Sequence, residues 1–150
     1  MEQGMKRRAR RSLVVAAIAL GFSGVALADN NCFLRTLQGT YVFTANGYNI
    51  VAGVAQPKAI VEVIDFNGDG TLSVRGATLS ANGTIVRTPS GGTGSYTVGP
   101  SCMGTIMFAV PTFDIFISPG GEKLWMIQTG PAAVFQGTAT RISELKLSGE

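Results

Sequence analysis

The chain contains no histidine. Serine–histidine hydrolysis, histidine-dependent acid–base chemistry and most zinc sites are thereby closed, since each relies on an imidazole. Cysteine is scarce: Cys32 and Cys102 are the only two. Two thiolates without histidine do not make a zinc site, and no imidazole is present to activate a catalytic thiol. Charge is scarce too, at 14% of residues. No G-x-x-x-x-G-K-[ST] or dinucleotide fingerprint occurs. The segment Gly91-Gly92-Thr93-Gly94 leads into a strand pattern rather than a helix, so it reads as a turn and not as a phosphate cradle. No amphipathic helix of useful length is found beyond residue 28. The tail Ser143–Leu147 is the one candidate, and it is short and polar.

The net charge of +3 and pI near 9.1 do not indicate a nucleic-acid partner. Lys6, Arg7, Arg8, Arg10 and Arg11 crowd the first eleven positions. An apolar run from Leu13 to Leu20 follows, and Ala26-Leu27-Ala28 places small residues before Asp29. This is the layout of a cleaved secretory signal peptide over residues 1–28, leaving a single domain at 29–150. The apolar run is interrupted by Gly21, Ser23 and Gly24 and falls short of the ~20 residues that span a bilayer, so no stable membrane anchor is expected after cleavage. Asp29-Asn30-Asn31 before Cys32 disfavours a lipoprotein. The start at Met1 or Met5 and the export route, general or twin-arginine, stay open. Residues 29–150 hold seven basic and eight acidic residues, with no basic stripe to displace counterions from a phosphate backbone. Both cysteines fall in the exported part, where one intramolecular disulfide is expected. It would close a loop of about 70 residues, worth roughly 4 kcal/mol in the chain-entropy account.

What the exported part has in abundance is turn residues, with 20 glycines in the whole chain, and short runs of β-branched and aromatic residues. Runs at 40–45, 59–66, 71–79, 84–88, 94–98, 103–110, 113–118, 123–129 and 134–141 give nine strand candidates. Their spacing, mostly 8–12 residues, is the rhythm of an all-β sandwich or barrel with antiparallel neighbours. Asn46-Gly47 reads as the end of the first strand, with a looser stretch to Pro57. Ala59–Ile64, Phe113–Ile117 and Leu124–Ile127 are apolar on both faces except at Glu62 and Asp114. Such strands point to a closed barrel whose outer wall is covered by its own loops or by another subunit. A homo-oligomer is therefore expected as one partner arrangement.

Asp65-Phe66-Asn67-Gly68-Asp69-Gly70 opens like an EF-hand loop, but its twelfth position is Gly76 where a bidentate Glu is needed. Asn-Gly and Asp-Gly serve a tight hairpin equally well, and the hairpin is the better reading. No metal or other cofactor is expected. Glu62 and Asp114 are candidate lumen carboxylates for proton transfer or ligand contact. The competing reading turns each outward to pair with Arg75, Arg87 or Lys123. Tyr41, Tyr96 and Trp125 are candidate ligand-lining residues, each with an apolar body and a polar tip; plain core is the alternative.

Several motifs in order resemble a known group. These are Leu37-Gln38-Gly39-Thr40-Tyr41-Val42-Phe43; Phe66-Asn67-Gly68-Asp69-Gly70; Gly94-Ser95-Tyr96-Thr97-Val98 with Cys102-Met103-Gly104-Thr105; Phe113-Asp114; Gly120-Gly121-Glu122-Lys123; Ile127-Gln128-Thr129; and Gly137-Thr138-Ala139. Together, over about residues 37–141, they resemble the small exported bacterial proteins described as allene oxide cyclase barrel-like. The resemblance implies a closed antiparallel barrel of about eight strands, shaped like plant allene oxide cyclases and dirigent proteins, which hold lipophilic or phenolic ligands and are commonly trimers. It transfers no catalytic residue. Three functions follow as expectations for an exported, periplasmic or secreted protein: a binder of a small lipophilic molecule, a non-metal isomerase or cyclase steering such a molecule, or an envelope interaction protein with a filled barrel. A Cys32–Cys102 bond would pin the chain's first segment across one end of the barrel and leave the opposite rim for ligand access.

Overall fold

A computed structural model of the chain describes residues 31–89, 91–130 and 132–143. The expected signal peptide at 1–28 and all but the first residue of the expected helical tail lie outside them. A 3-10 turn, Leu34–Leu37, precedes nine strands: β1 Gln38–Val51, β2 Val54–Asn67, β3 Thr71–Ala81, β4 Thr84–Thr88, β5 Thr93–Val98, β6 Met103–Met107, β7 Thr112–Ile117, β8 Lys123–Gln128 and β9 Ala133–Ser143. All nine candidate runs are strands.

Pairing runs β1-β2-β3-β5-β6-β7-β8-β9 and back to β1, antiparallel throughout, so eight strands close a barrel. Closure removes the free edges that would otherwise invite pairing with other chains. The ninth strand, β4, is an annex. It pairs with the last five residues of β3 (Ala77–Ala81), whereas β5 pairs with the first three (Thr71–Ser73). β4 has no strand on its other edge among the described residues.

β1 and β2 are 14 residues each and form one long hairpin with Val51 opposite Val54. The expected break at Asn46-Gly47 does not exist. Gly47 sits mid-strand opposite Phe135 of β9, and a Cβ there would lie 2.0 Å from the Val134 carbonyl oxygen. The glycine is required by close approach of two backbones, not by a turn. Pro57 is tolerated because β3 begins to pair only at Lys58, so the missing N–H breaks no ladder on that side. The second hairpin is as expected. Gly68 and Gly70 adopt positive φ (81° and 95°), and the Asp69 carboxylate accepts from the Thr71 N–H and hydroxyl at 2.9 and 2.6 Å. Among the described residues no cluster of three or more acidic or cysteine side chains could hold a metal.

Alternation is cleaner than the apolar runs imply. Tyr41, Phe43 and Ala45 of β1, Ile64 and Phe66 of β2, Leu72 and Val74 of β3 and Tyr96 of β5 point inward. So do Ile106 of β6, Phe113, Ile115 and Ile117 of β7, Leu124 and Met126 of β8, and Phe135 and Ala139 of β9. The outward residues of the same strands stay half exposed, as at Val61 (51%), Phe116 (51%), Trp125 (48%) and Ile127 (46%). The chain's own loops do not cover the outer wall.

One end of the barrel is sealed. Cys32 and Cys102 form a disulfide, and the Cys32 N–H donates to the Pro100 carbonyl. This staple carries Leu34–Leu37 across the end, where Leu37 is fully buried. Tyr41, Phe66 and Tyr96 stack edge-to-face beneath it, with ring centres 5.0 and 5.1 Å apart. Edge-to-face pairs of this kind add about 0.5–1.5 kcal/mol each beyond their buried area.

Candidate functional site

The five side chains proposed from the sequence do not converge. Tyr41 and Tyr96 belong to the sealed end. The Tyr41 hydroxyl donates to the Gly121 carbonyl at 2.5 Å and accepts from Arg141 Nε at 3.0 Å. The Tyr96 hydroxyl lies 2.9 Å from the Leu34 carbonyl and 3.2 Å from that of Leu37. Burial pushes both phenols above their ordinary pKa of 10.0. Both are thus committed to holding the 3-10 turn and the β7–β8 loop, and neither offers a free hydroxyl to a ligand.

Asp114 and Trp125 are outside the barrel. β7 satisfies the core with Phe113, Ile115 and Ile117, and β8 with Leu124 and Met126, so strand parity puts the intervening Asp114 and Trp125 on the outer face. Asp114 is therefore not a lumen carboxylate, and Trp125 is not part of the lumen wall. Asp114 makes no ion pair among the described residues; the guanidinium of Arg75 instead meets Asp65, whose other oxygen accepts from the Thr40 hydroxyl at 2.6 Å.

Glu62 does point inward. It lies directly across from Phe43 on β1 and from Ala77 on β3, both on the lumenal side. Lys58, four residues earlier, shares that face, and its ammonium sits 4.2 Å from the centre of the Phe135 ring. Gln128 ends the inward row of β8, opposite Phe113. Its Oε1 is buried and accepts no hydrogen bond among the described residues. Phe43 and Phe108 each meet Phe113 edge-to-face, with centres 6.2 and 6.4 Å apart. The half of the lumen away from the staple is therefore an aromatic wall carrying one carboxyl, one ammonium and one amide.

This half is also the wetter one. Inward residues near the staple, such as Tyr41, Ile64, Phe66 and Leu124, are fully buried. Lys58, Ile60, Glu62, Leu79 and Ala133, inward at the other end, are only partly so. The solvent-exposed end of the inward face is therefore the rim formed by the β1–β2 hairpin, the end of β3 and the start of β9. Glu62 makes no hydrogen bond among the described residues, and burial pushes its carboxyl from 4.5 up to about 7, with the Lys58 charge pulling weakly the other way. Burial lowers the Lys58 ammonium from 10.5, opposed by Glu62. A carboxyl that gains and loses its proton near neutrality, beside aromatic rings, can donate to or accept from a bound polar group. The sequence reading missed Lys58 and Gln128. Counting by two from Phe66 through Ile64, Glu62, Ile60 and Lys58 would have placed the lysine on the inner face.

Among the described residues no helix is long and apolar enough to cross a membrane. A disulfide is compatible with an exported protein. No protein-family model, curated protein or solved structure matches the chain.

Proposed function

We propose that the protein is an exported barrel that binds a small lipophilic molecule through its open end. The observation that carries this is the asymmetry of the lumen. One end is sealed by a stapled turn, and the other combines aromatic rings with three polar groups that have little or nothing to bond to. Apolar walls with a few convergent polar atoms are the usual composition of a small-molecule site. Buried polar atoms without partners are costly unless a ligand or water satisfies them. The preferred ligand has an apolar body facing Phe43, Phe113 and Phe135 and a polar group within reach of Glu62 and Gln128.

The near-neutral acidity of Glu62 favours one further reading, a non-metal isomerase or cyclase in which this carboxyl moves a proton on the bound molecule. Membership of the allene oxide cyclase barrel-like group, and a trimer, are part of the same proposal and rest on the ordered motifs. Native mass spectrometry of protein purified from its own cell envelope tests the binding reading. It is supported by a retained small molecule whose mass disappears in a Glu62→Leu/Gln128→Leu variant. It fails if wild type carries no such mass and takes up none from an envelope lipid extract.

A further inference from the structure

A second concave feature lies on the opposite side of the wall from Glu62. The outward residues of β7, β8, β9 and β1 form a groove of about 510 Å³. The volume is in the range of ligand sites, ~300–1,000 Å³. Strand register turns its lining into two rows. In one, Phe116 faces Trp125, Trp125 faces Thr138, and Thr138 faces Thr44. In the next, Ile127 faces Gln136, and Gln136 faces Asn46. The β7–β8 side of the groove is thus apolar and aromatic, and the β9–β1 side is hydroxyl and amide.

Three properties narrow the occupant. The aromatic faces are open: Phe116 and Trp125 are 51% and 48% exposed, and no ring contact joins them although they are direct cross-strand neighbours. The Lys123 ammonium lies 5.3 Å from the centre of the Trp125 ring, leaving the other face. The side chains of Thr44, Asn46, Gln136 and Thr138 make no hydrogen bond among the described residues. Among the described residues no charged side chain lines the groove; Lys123, over the Trp125 ring, and Asp114, across from Ile127, adjoin it and are of opposite sign.

We propose that this groove binds an uncharged oligosaccharide. A sugar ring has an apolar C–H face suited to Trp125 and Phe116. Its edge of hydroxyls both donates and accepts, and the Asn46 and Gln136 amides offer both in return. A flat apolar protein surface laid over the same groove would strand four polar side chains without partners, which is costly for each one buried. An anionic polymer would need a basic lining, which is absent. The site is independent of the lumen, so either proposal can fail alone.

Trp125 is the chain's single tryptophan and reports on the groove directly. The test is a fluorescence titration of the full exported chain with cellohexaose, maltohexaose and chitohexaose. The expected result is a saturable change in Trp125 emission with at least one of them, half-complete between ~10 μM and ~1 mM. Asn46→Ala and Gln136→Ala each weaken it about tenfold, the loss of a good hydrogen bond, with unchanged melting temperature. Binding of the same sugar to a Trp125→Phe variant, followed by amide chemical shifts, maps to β8 and β9. Three results overturn the proposal: no saturable change with any hexamer up to ~10 mM, beyond the range of specific binding; binding undiminished in the Asn46→Ala/Gln136→Ala double variant; or emission that shifts with protein concentration alone as particle mass rises, which assigns the groove to a second copy.

Discussion

Glu62 makes the protein's stability depend on pH in a direction opposite to that of most carboxylates. Its folded pKa is raised to about 7 from 4.5, so between those values the folded chain holds a proton that the unfolded chain has released. Its contribution to stability is therefore greatest below about pH 4.5, falls as pH rises through the interval, and levels off above about 7. A carboxyl whose acidity changes by this much loses about 3 kcal/mol between the two plateaus, at ~1.4 kcal/mol per tenfold change. Partial access to water at the open rim trims this to about 2–3 kcal/mol. Glu62→Gln keeps the shape and removes the charge, so it raises stability by that amount at pH 8 and changes it little at pH 4. The assay is urea unfolding of both proteins at intervals from pH 4 to 8, read as a difference so that carboxylates common to both cancel. A difference that is flat across the range, or one in which wild type gains on Glu62→Gln as pH rises, refutes the placement of Glu62 inside the lumen.

Further outcomes follow from the sealed end and the strand contacts. Cys32→Ala/Cys102→Ala loses up to about 4 kcal/mol, since the bond closes a loop of 70 residues, and reductant added to wild type reproduces the loss in denaturant titration. Tyr41→Phe leaves the Arg141 guanidinium and the Gly121 carbonyl without the phenol and costs about 1–3 kcal/mol in thermal unfolding. Gly137→Ala destabilises by about 1–3 kcal/mol, because the new methyl carbon would lie 2.2 Å from the Thr44 carbonyl oxygen across the β1–β9 pair. A variant as stable as wild type in either case contradicts the packing described.

Fold class and strand count were legible because turn chemistry and apolar runs are local signals. Asn67–Gly70 announces its hairpin through residues that tolerate positive φ, and both cysteines announce a staple through their number. Less legible was the length of β1 and β2. Gly47 has the local look of a turn, and only the distance to Val134 on a strand nearly ninety positions later explains it as an in-strand glycine. Non-local approach of this kind leaves no trace in neighbouring residues.

The candidate site shows the same limit more sharply. Glu62 and Asp114 look alike in sequence, each a single acid in an apolar strand, yet one lines the lumen and the other faces out. What separates them is which parity class carries the larger buried set. β7 commits three residues, Phe113, Ile115 and Ile117, to the core, and Asp114 must alternate away from them. In β2 the parity class of Glu62 contains Ile64 and Phe66, which are fully buried, while its rival Val61 is half exposed. The acid is carried inward by its neighbours and remains there at an energetic cost, partly relieved by Lys58 on the same face. Apolar residues on both faces had implied a wall covered from outside. The chain's own loops leave Phe116, Trp125 and Ile127 exposed, and these form one side of a groove whose other side is polar. A protein that keeps a costly carboxyl inside and an aromatic groove outside has two distinct chemistries separated by one layer of strands, and neither is needed to hold the barrel closed.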